Sequence, residues 1–206
     1  MKNIIAIICL ALCIFVSACS GSPKVTRVDA GTQTDLSGRW NDTDVRIVCN
    51  SLLDSALSSR SIDTYIKEYS AKNRGAVPTI IVGRFRNTSS EHIDTGIISG
   101  IMRTTIINSG KLEFVEGGDT REDIRTERLD QQLNSGESTA SALANETAAK
   151  FMLTGEVRSM EEKAGNTTSR VYYVTATITE IETNRVLWED QNSEIKKIIT
   201  QPRAKL

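Results

Sequence analysis

The sequence predicts an α/β domain in which a mixed β-sheet is flanked by helices. Two observations predict this class. In the middle of the chain, residues 93–108 have helical spacing and lie between two short apolar segments, residues 79–85 and 112–116. A strand, a crossover helix and a second strand normally form a parallel, right-handed unit. Later in the chain, residues 170–181 alternate apolar and polar side chains, which is typical of a strand with one buried face.

The domain is predicted to begin with two helices and a strand. Apolar side chains recur at helical spacing from residue 41 to 59, and Asn41 or Thr43 can cap this helix. A second, weaker helix is predicted for residues 61–73. The strand 79–85 follows a proline and is apolar on both faces, which favours a position inside the sheet.

The rest of the domain is predicted to contain two helices and three strands. We expect Glu161 and Glu162 in a solvated loop between two of these strands, and the last two strands to form a hairpin with Asn184 in a left-handed conformation. The basic tail after Glu194 is expected to fray. The predicted ranges are a charged helix at 119–133, an alanine-rich helix at 138–150, and strands at 151–160, 170–181 and 185–194.

The N-terminus has the pattern of a lipoprotein signal peptide. A lysine precedes an apolar segment, residues 4–16, that is too short to span a bilayer. Ser17 and Ala18 precede Cys19 as in the bacterial lipobox, so we expect cleavage after residue 18 and diacylation of Cys19. The alternative is ordinary secretory cleavage, with Cys19 as a plain thiol. Ser20, in place of an aspartate, favours an outer-membrane location facing the periplasm.

These patterns divide the chain into four parts. We expect a signal peptide at 1–18, a lipidated cysteine and flexible tether at 19–40, a globular domain at 41–195 and a tail at 196–206. The tether is short of large apolar residues and contains Gly, Ser, Thr and Pro. At about 3.3 Å per residue, some 20 residues span at most roughly 65 Å, so the domain is expected near its membrane.

Little in the sequence predicts catalysis. The 25 basic and 26 acidic residues are balanced, whereas a nucleic-acid binder normally has a basic face. His92 is the only histidine, so a hydrolase would depend on it alone and would lose turnover in His92→Ala. No glycine-rich phosphate loop or dinucleotide motif is present. We therefore expect no enzymatic activity, no metal, no cofactor and no small-molecule substrate. Cys49, the single thiol left after processing, is expected to be a small buried hydrophobe.

Two polar segments supply the candidate site residues. The loop before the helix 93–108 is expected to be held in shape by capping and by acids at a helix N-terminus. The charged helix 119–133 presents arginines that are candidates for partner binding, and a plain solvated face is the alternative. The loop residues are Asn87, Thr88, Glu91, His92 and Asp94, and the partner-binding candidates are Arg121, Arg125 and Arg128.

Several segments together resemble the LpoB family of penicillin-binding protein activators over about residues 35–190. They are Asp35 to Asp42 (DLSGRWND), Arg86 to Thr95 (RNTSSEHIDT), Ser109 to Lys111 (SGK), Glu127-Arg128, and Ile181 to Trp188 (IETNRVLW).

The resemblance implies a fold like the TolB N-terminal domain, an outer-membrane lipid anchor and no enzymatic activity. It also implies binding to an accessory domain of a bifunctional penicillin-binding protein, whose glycosyltransferase and transpeptidase activities are stimulated. The well-known activator has a long Pro-rich tether, whereas this one has about 20 residues. The alternative function is a structural or assembly lipoprotein similar to the curli-secretion type. Such a pore needs long lipid-facing apolar strands, whereas the apolar face of residues 170–194 is short and is expected to pack on helices.

Overall fold

The computed structural model describes residues 25–29, 31–134 and 147–202. The chain divides into two compact units, Met1–Thr32 and Gln33–Leu206. The described residues of the first unit contain no helix or strand, and a hydrogen bond from Thr32 N to Asp29 O (3.0 Å) closes a turn. All elements named below belong to the second unit.

The second unit has helices and strands in an order close to the predicted one. The helices are α1 (Asp42–Leu57), α2 (Arg60–Lys72), α3 (Thr95–Ser109) and α4 (Gly118–Asn134). The strands are β1 (Thr79–Asn87), β2 (Glu113–Phe114), β3 (Phe151–Ala164), β4 (Thr167–Glu180), β5 (Val186–Asn192) and β6 (Lys196–Thr200).

The strands form one mixed sheet in the order β2-β1-β3-β4-β5. β1 is parallel to both β2 and β3, so the predicted strand–helix–strand unit is confirmed. β3 and β4 form a long antiparallel hairpin, and β5 is antiparallel to β4. The α/β class with a mixed sheet is therefore confirmed.

Helices α1, α2 and α3 cover one face of the sheet. α1 and α2 contact β5, and α3 contacts β1. The inward side chains of β3 and β4 alternate along each strand, and the sequence pattern predicted this for β4. The buried residues on these two strands are Phe151, Leu153, Val157, Tyr172, Val174, Ala176 and Ile178.

Capping residues fix where the helices start and stop. Asn41 Oδ1 accepts the Asp44 N–H (3.1 Å) and Asp44 Oδ2 accepts the Asn41 N–H (2.9 Å), which is a capping box at α1. Asp94 caps α3 through Gly96 N (2.9 Å). Gly110 ends α3 with φ +63°, a left-handed conformation that glycine adopts without a steric penalty.

The prediction that the chain frays after Glu194 is wrong. β6 pairs with the first half of β4, and β5 pairs with its second half, so the two strands lie end to end along one edge of β4. Ile195 between them is buried, and its carbonyl accepts the Tyr172 N–H (3.0 Å). The sequence of Lys196–Thr200 did not predict a strand, because one of its inward positions is a lysine, Lys197, in place of an apolar residue.

Two further expectations differ from the structure. Glu161 and Glu162 lie within β3 rather than in a loop, because the β3–β4 hairpin extends to its turn at Gly165. Most of the expected alanine-rich helix falls on residues 135–146, outside the described residues. Its end, residues 147–150, is not helical, since Lys150 N donates to Thr79 O (3.0 Å) beside β1.

Candidate functional site

The Glu91 carboxylate is the centre of a largely buried polar cluster. Its Oε2 accepts hydrogen bonds from Trp40 N (3.0 Å) and from the Tyr172 hydroxyl (2.8 Å), and its Oε1 forms an ion pair with Arg170. The side chains of Glu91 and Arg170 are only 10% and 13% exposed. Glu91 thus joins the loop before α3, the segment before α1 and strand β4.

Arg170 links this cluster to two further groups. Its Nε donates to Glu161 Oε1 (2.6 Å), and its Nη1 donates to Gly38 O (2.8 Å). Burial works against the charged guanidinium, but the hydrogen bond to Glu161 and the charge of Glu91 outweigh it, so the pKa of Arg170 is raised. Burial, followed by its hydrogen bond to Glu91, raises the pKa of Tyr172. Arg170 therefore stays charged and Tyr172 stays neutral at neutral pH.

The alternation of β4 explains why charged residues occur here. The buried positions of β4 follow a period of two, and extending that pattern by one step at each end reaches Arg170 and Glu180. Both lie on the inner face of the sheet and need charged or hydrogen-bonding partners. Glu180 accepts hydrogen bonds from Tyr65 (2.6 Å) and Thr183 (2.5 Å). Sequence reasoning missed these roles, although a charged residue at an inward position was the available signal.

A second ion cluster surrounds Lys197 on β6. Its Nζ lies 2.7 Å from Asp35 Oδ1 and 2.7 Å from Asp44 Oδ2, and it donates to Arg39 O (2.8 Å). The Lys197 side chain is 9% exposed. Burial opposes its charge, but hydrogen bonds to the two aspartates outweigh this and raise the pKa of Lys197. The cluster joins the start of the folded unit to its last strand.

The loop Asn87–Asp94 is held in shape by its own polar side chains. Asn87 Nδ2 donates to Glu91 O (2.7 Å), and Asn87 Oδ1 accepts Ser89 N (3.0 Å). Thr88 donates to Glu156 Oε1 (2.8 Å) on β3. Together with the Asp94 cap, these contacts place Asn87, Thr88, Glu91 and Asp94 in one connected loop.

His92 lies apart from that network, on the exposed side of the loop. It lines a groove of about 460 Å³ between α1 and α3, whose apolar lining includes Val45, Ile93 and Ile97. Trp40 also lines the groove, and its indole Nε1 is buried without a hydrogen-bond partner among the described residues. Ile97 is 54% exposed, so the groove is an apolar concavity open to solvent.

The arginines of α4 lie on one half-buried stripe of that helix. Arg121 Nε donates to Glu116 O (2.8 Å), and Arg125 pairs with Glu122 at 2.5 Å. Arg128 lies on the same stripe, one turn beyond Arg125. The more exposed positions include the apolar Ile124 and Leu129. The structure thus brings the three arginines together, but it partly engages two of them within the chain.

Cys49 is buried in α1 and is a free thiol. Burial raises the pKa of this thiol to about 12, so it stays protonated and unreactive at neutral pH. The expectation of a small buried hydrophobe is confirmed. Within the described ranges, no group of three or more His, Cys, Asp and Glu side chains could hold a metal ion.

Cys19, the predicted lipid attachment site, lies outside the described residues. In the part of the chain that the structure describes, every helix is too short or too polar to cross a membrane. The described tether residues Val25 and Val28 are exposed.

Comparison with family models decides the relationship. The model described as "Peptidoglycan-synthase activator LpoB" matches residues 44–194. The chain belongs to the LpoB family. This match begins in α1 and ends just after β5, so it includes strands β1 to β5, most of α1, helices α2 to α4 and the loop around Glu91. Comparison with curated protein sequences returns no match.

Solved structures of LpoB domains are similar to the chain in fold. The LpoB C-terminal domain from Salmonella enterica is 14% identical, with 77% of this chain and 99% of that chain covered and a TM-score of 0.41. The NMR structure of E. coli LpoB is 13% identical, covers 90% of this chain and 86% of that chain, and has a TM-score of 0.40. A lipoprotein from Neisseria meningitidis is 10% identical, with coverages of 62% and 88% and a TM-score of 0.35.

In this LpoB-family chain, the two ion clusters perform a structural task. Glu91 accepts the Trp40 N–H and Lys197 pairs with Asp35, so both bind the segment before α1. Glu91 lies in the loop before α3, whereas Lys197 lies on β6. Both contacts therefore tie the segment before α1 to other parts of the domain. They hold Trp40 and the loop around Glu91 at the mouth of the apolar groove.

Proposed function

We propose that this protein binds and stimulates a bifunctional penicillin-binding protein and so regulates peptidoglycan synthesis. The observation that carries the proposal is the match of the peptidoglycan-synthase activator family over residues 44–194. The chain acts by contact and without turnover of its own, and the synthase handles the glycan substrate. Stimulation of this type is a coupling free energy between the binding surface and the partner's active sites.

The proposed anchor is a diacylated Cys19 in the outer membrane. The sequence supports it through the apolar segment and the small residues before Cys19. Two or three acyl chains hold a protein far more firmly than one, since each buried methylene contributes about 0.8 kcal/mol. With so short a tether, either the synthase extends towards this lipoprotein or the periplasmic gap is narrow.

The proposed partner surface is α4, with Arg121, Arg125 and Arg128 as its cations. The described part of this helix has no fully buried side chain, and Ile124 and Leu129 are 39% and 48% exposed. Apolar side chains among charges are typical of a docking surface in which the apolar area provides affinity and the charges guide association. The loop Asn87–Asp94 keeps its shape through internal hydrogen bonds and is not proposed as the contact.

Direct binding tests the proposal. The mature chain, purified in detergent, is passed over each bifunctional penicillin-binding protein of the host immobilised on a sensor surface. Saturable binding to one synthase, abolished by deletion of that synthase's accessory domain, is the expected result. A chain that binds none of the synthases contradicts the proposal and favours the assembly lipoprotein.

A further inference from the structure

The residues just before α1 are held to the sheet mainly by charges. This strap, defined as Asp35–Arg39, runs into Trp40, which packs against the core. Leu36 in the strap is 94% exposed. The one close apolar approach is at Gly38, where an added Cβ would lie 2.0 Å from Cγ1 of Ile199 on β6. Apolar burial therefore contributes little to holding the strap in place.

Two cations bind the strap from neighbouring strands. Lys197 on β6 contacts Asp35 Oδ1 (2.7 Å) and Arg39 O (2.8 Å). Arg170 on β4 donates to Gly38 O (2.8 Å). The Asp35 side chain is half exposed, whereas Lys197 is almost fully buried. A third contact comes from Asn41 Nδ2, which donates to Asp35 Oδ1 (2.6 Å). The strap is thus closed by a few polar contacts, and Lys197 and Arg170 stay in the sheet when it opens.

Trp40 marks the end of what can open without disturbing the core. Its ring packs edge-on against Tyr172, with 5.1 Å between centroids, and its N–H donates to Glu91 (3.0 Å). α1 starts at the next residue but one and is closed by its own capping box. Opening of Asp35–Arg39 therefore leaves α1 and the sheet intact.

We propose that Asp35–Arg39 is a latch that sets the length of the tether. When the strap is closed, the proposed tether ends at residue 34. When it opens, five residues join the tether and lengthen it by roughly 16 Å at about 3.3 Å per residue. The consequence for reach rests on the proposed membrane anchor, whereas the opening itself does not.

Chymotrypsin cleavage after Leu36 measures the opening in the full mature chain, because this bond and the three residues after it lie within Asp35–Arg39. We expect this cleavage to proceed at a rate that hardly changes with urea below the unfolding transition, because a local opening exposes little surface. Cleavage after Leu52, which is buried in α1, serves as the reporter of global unfolding. If both cleavages accelerate together with urea, the strap opens only when the domain unfolds and the latch is refuted.

A reversible disulfide provides the matched test. An added Cβ at Gly38 lies 3.4 Å from the Cβ of Ile199, close to the separation of about 3.8 Å found in disulfides. In the variant Gly38→Cys/Ile199→Cys, we expect oxidation to slow cleavage after Leu36 by about tenfold or more relative to the reduced form, because the bond holds the strap closed. Equal rates in the two forms contradict the latch. Cys49 is buried and does not compete for the new thiols.

The charge of Lys197 is tested by its neighbour on the same strand. Lys197→Met should accelerate cleavage after Leu36 by about tenfold, since it removes both the ion pair to the half-exposed Asp35 and the hydrogen bond to Arg39 O. Lys196→Met, at an exposed position of β6, should leave the rate unchanged. Equal rates in the two variants would show that Lys197 does not hold the strap. No synthase is present in these assays, so their failure leaves the activator proposal untouched.

Discussion

Charged side chains at inward strand positions determine much of how this domain is held together. Arg170 and Glu180 continue the buried stripe of β4 at its two ends, and Lys197 does the same on β6. Each has a partner of opposite charge within 3.4 Å. Burial of an ion without such a partner costs several kcal/mol. Substitution of one residue in these pairs is therefore expected to destabilise the domain.

Removal of Arg170 should destabilise the domain strongly. Arg170→Met keeps part of the side-chain volume but leaves Glu91 buried without its cation. We expect a loss of about 3–5 kcal/mol in the free energy of unfolding, measured by urea denaturation. The control is Arg84→Met, an exposed arginine with no ion pair among the described residues, which should stay within about 0.5 kcal/mol of the wild type. Similar stabilities of both variants would contradict the role of the Glu91 cluster.

The stability of the domain should depend on pH through Glu180. Hydrogen bonds from Thr183 and then Tyr65 lower the pKa of Glu180 below its usual 4.5. A carboxylate with a lowered folded-state pKa stabilises the fold above its unfolded-state value, and this contribution disappears as the pH falls through the folded-state value. The difference in melting temperature between wild type and Glu180→Gln should therefore be largest near pH 7 and shrink below pH 4.5. A constant difference across that range would argue against this assignment.

At the scale of elements, the sequence pattern predicted most of the sheet and its helices. Periods of two and of three to four residues are set by which side chains are buried, and burial dominates in α1, α3, β1 and β4. β6 was missed because its inward residues include Lys197, whose partner Asp35 lies 162 positions earlier in the sequence. No local pattern reports such a distant pairing.

The candidate site was predicted less completely than the fold. Helix capping at Asp94 followed from residue type and position. The cluster of Glu91, Arg170, Tyr172 and Trp40 was not predicted, because its members come from three separate parts of the chain. The Glu161 side chain joined the same cluster only because the β3–β4 hairpin is longer than the apolar pattern indicated.

Two glycines test how the elements fit together. A Cβ at Gly155 on β3 would lie 2.2 Å from Cε1 of Phe85 and 2.6 Å from the Thr175 carbonyl oxygen. Because a backbone atom cannot easily move away, Gly155→Ala should cost about 1–3 kcal/mol or more of unfolding free energy. Gly100 in α3 has open space around a built Cβ, so Gly100→Ala should stabilise by about 0.5–1 kcal/mol. Thermal denaturation of the two variants measures both changes in stability. If both variants were stabilised, or both destabilised, this description of the packing would be contradicted.

At the scale of the whole molecule, the two ion clusters and the helix α4 lie on different elements. The clusters hold the N-terminal strap, β4 and β6 together, whereas α4 contributes no fully buried side chain in its described part. A helix of this kind can bind a partner in place of solvent without disturbing the packing of the domain. Stability and proposed partner binding are therefore expected to respond to different substitutions.

The arginines of α4 should set the rate of association with the synthase. Exposed ion pairs contribute about 0.2–1 kcal/mol each, so Arg125→Ala/Arg128→Ala should weaken binding by about twofold to thirtyfold, mainly through the association rate. The control Arg60→Ala/Arg84→Ala removes the same charge from exposed positions elsewhere. Surface plasmon resonance at two salt concentrations separates the two rates. Equal association rates for the two double variants would place the contact on another surface.

The most direct test of the activator proposal is the rate of glycan polymerisation by a purified bifunctional penicillin-binding protein, measured with increasing amounts of the mature chain. We predict a saturable increase in rate with the host synthase that binds the chain, retained in Arg60→Ala/Arg84→Ala and reduced in Arg125→Ala/Arg128→Ala. An unchanged rate with every bifunctional synthase of the host, at chain concentrations that saturate binding, would contradict the activator role.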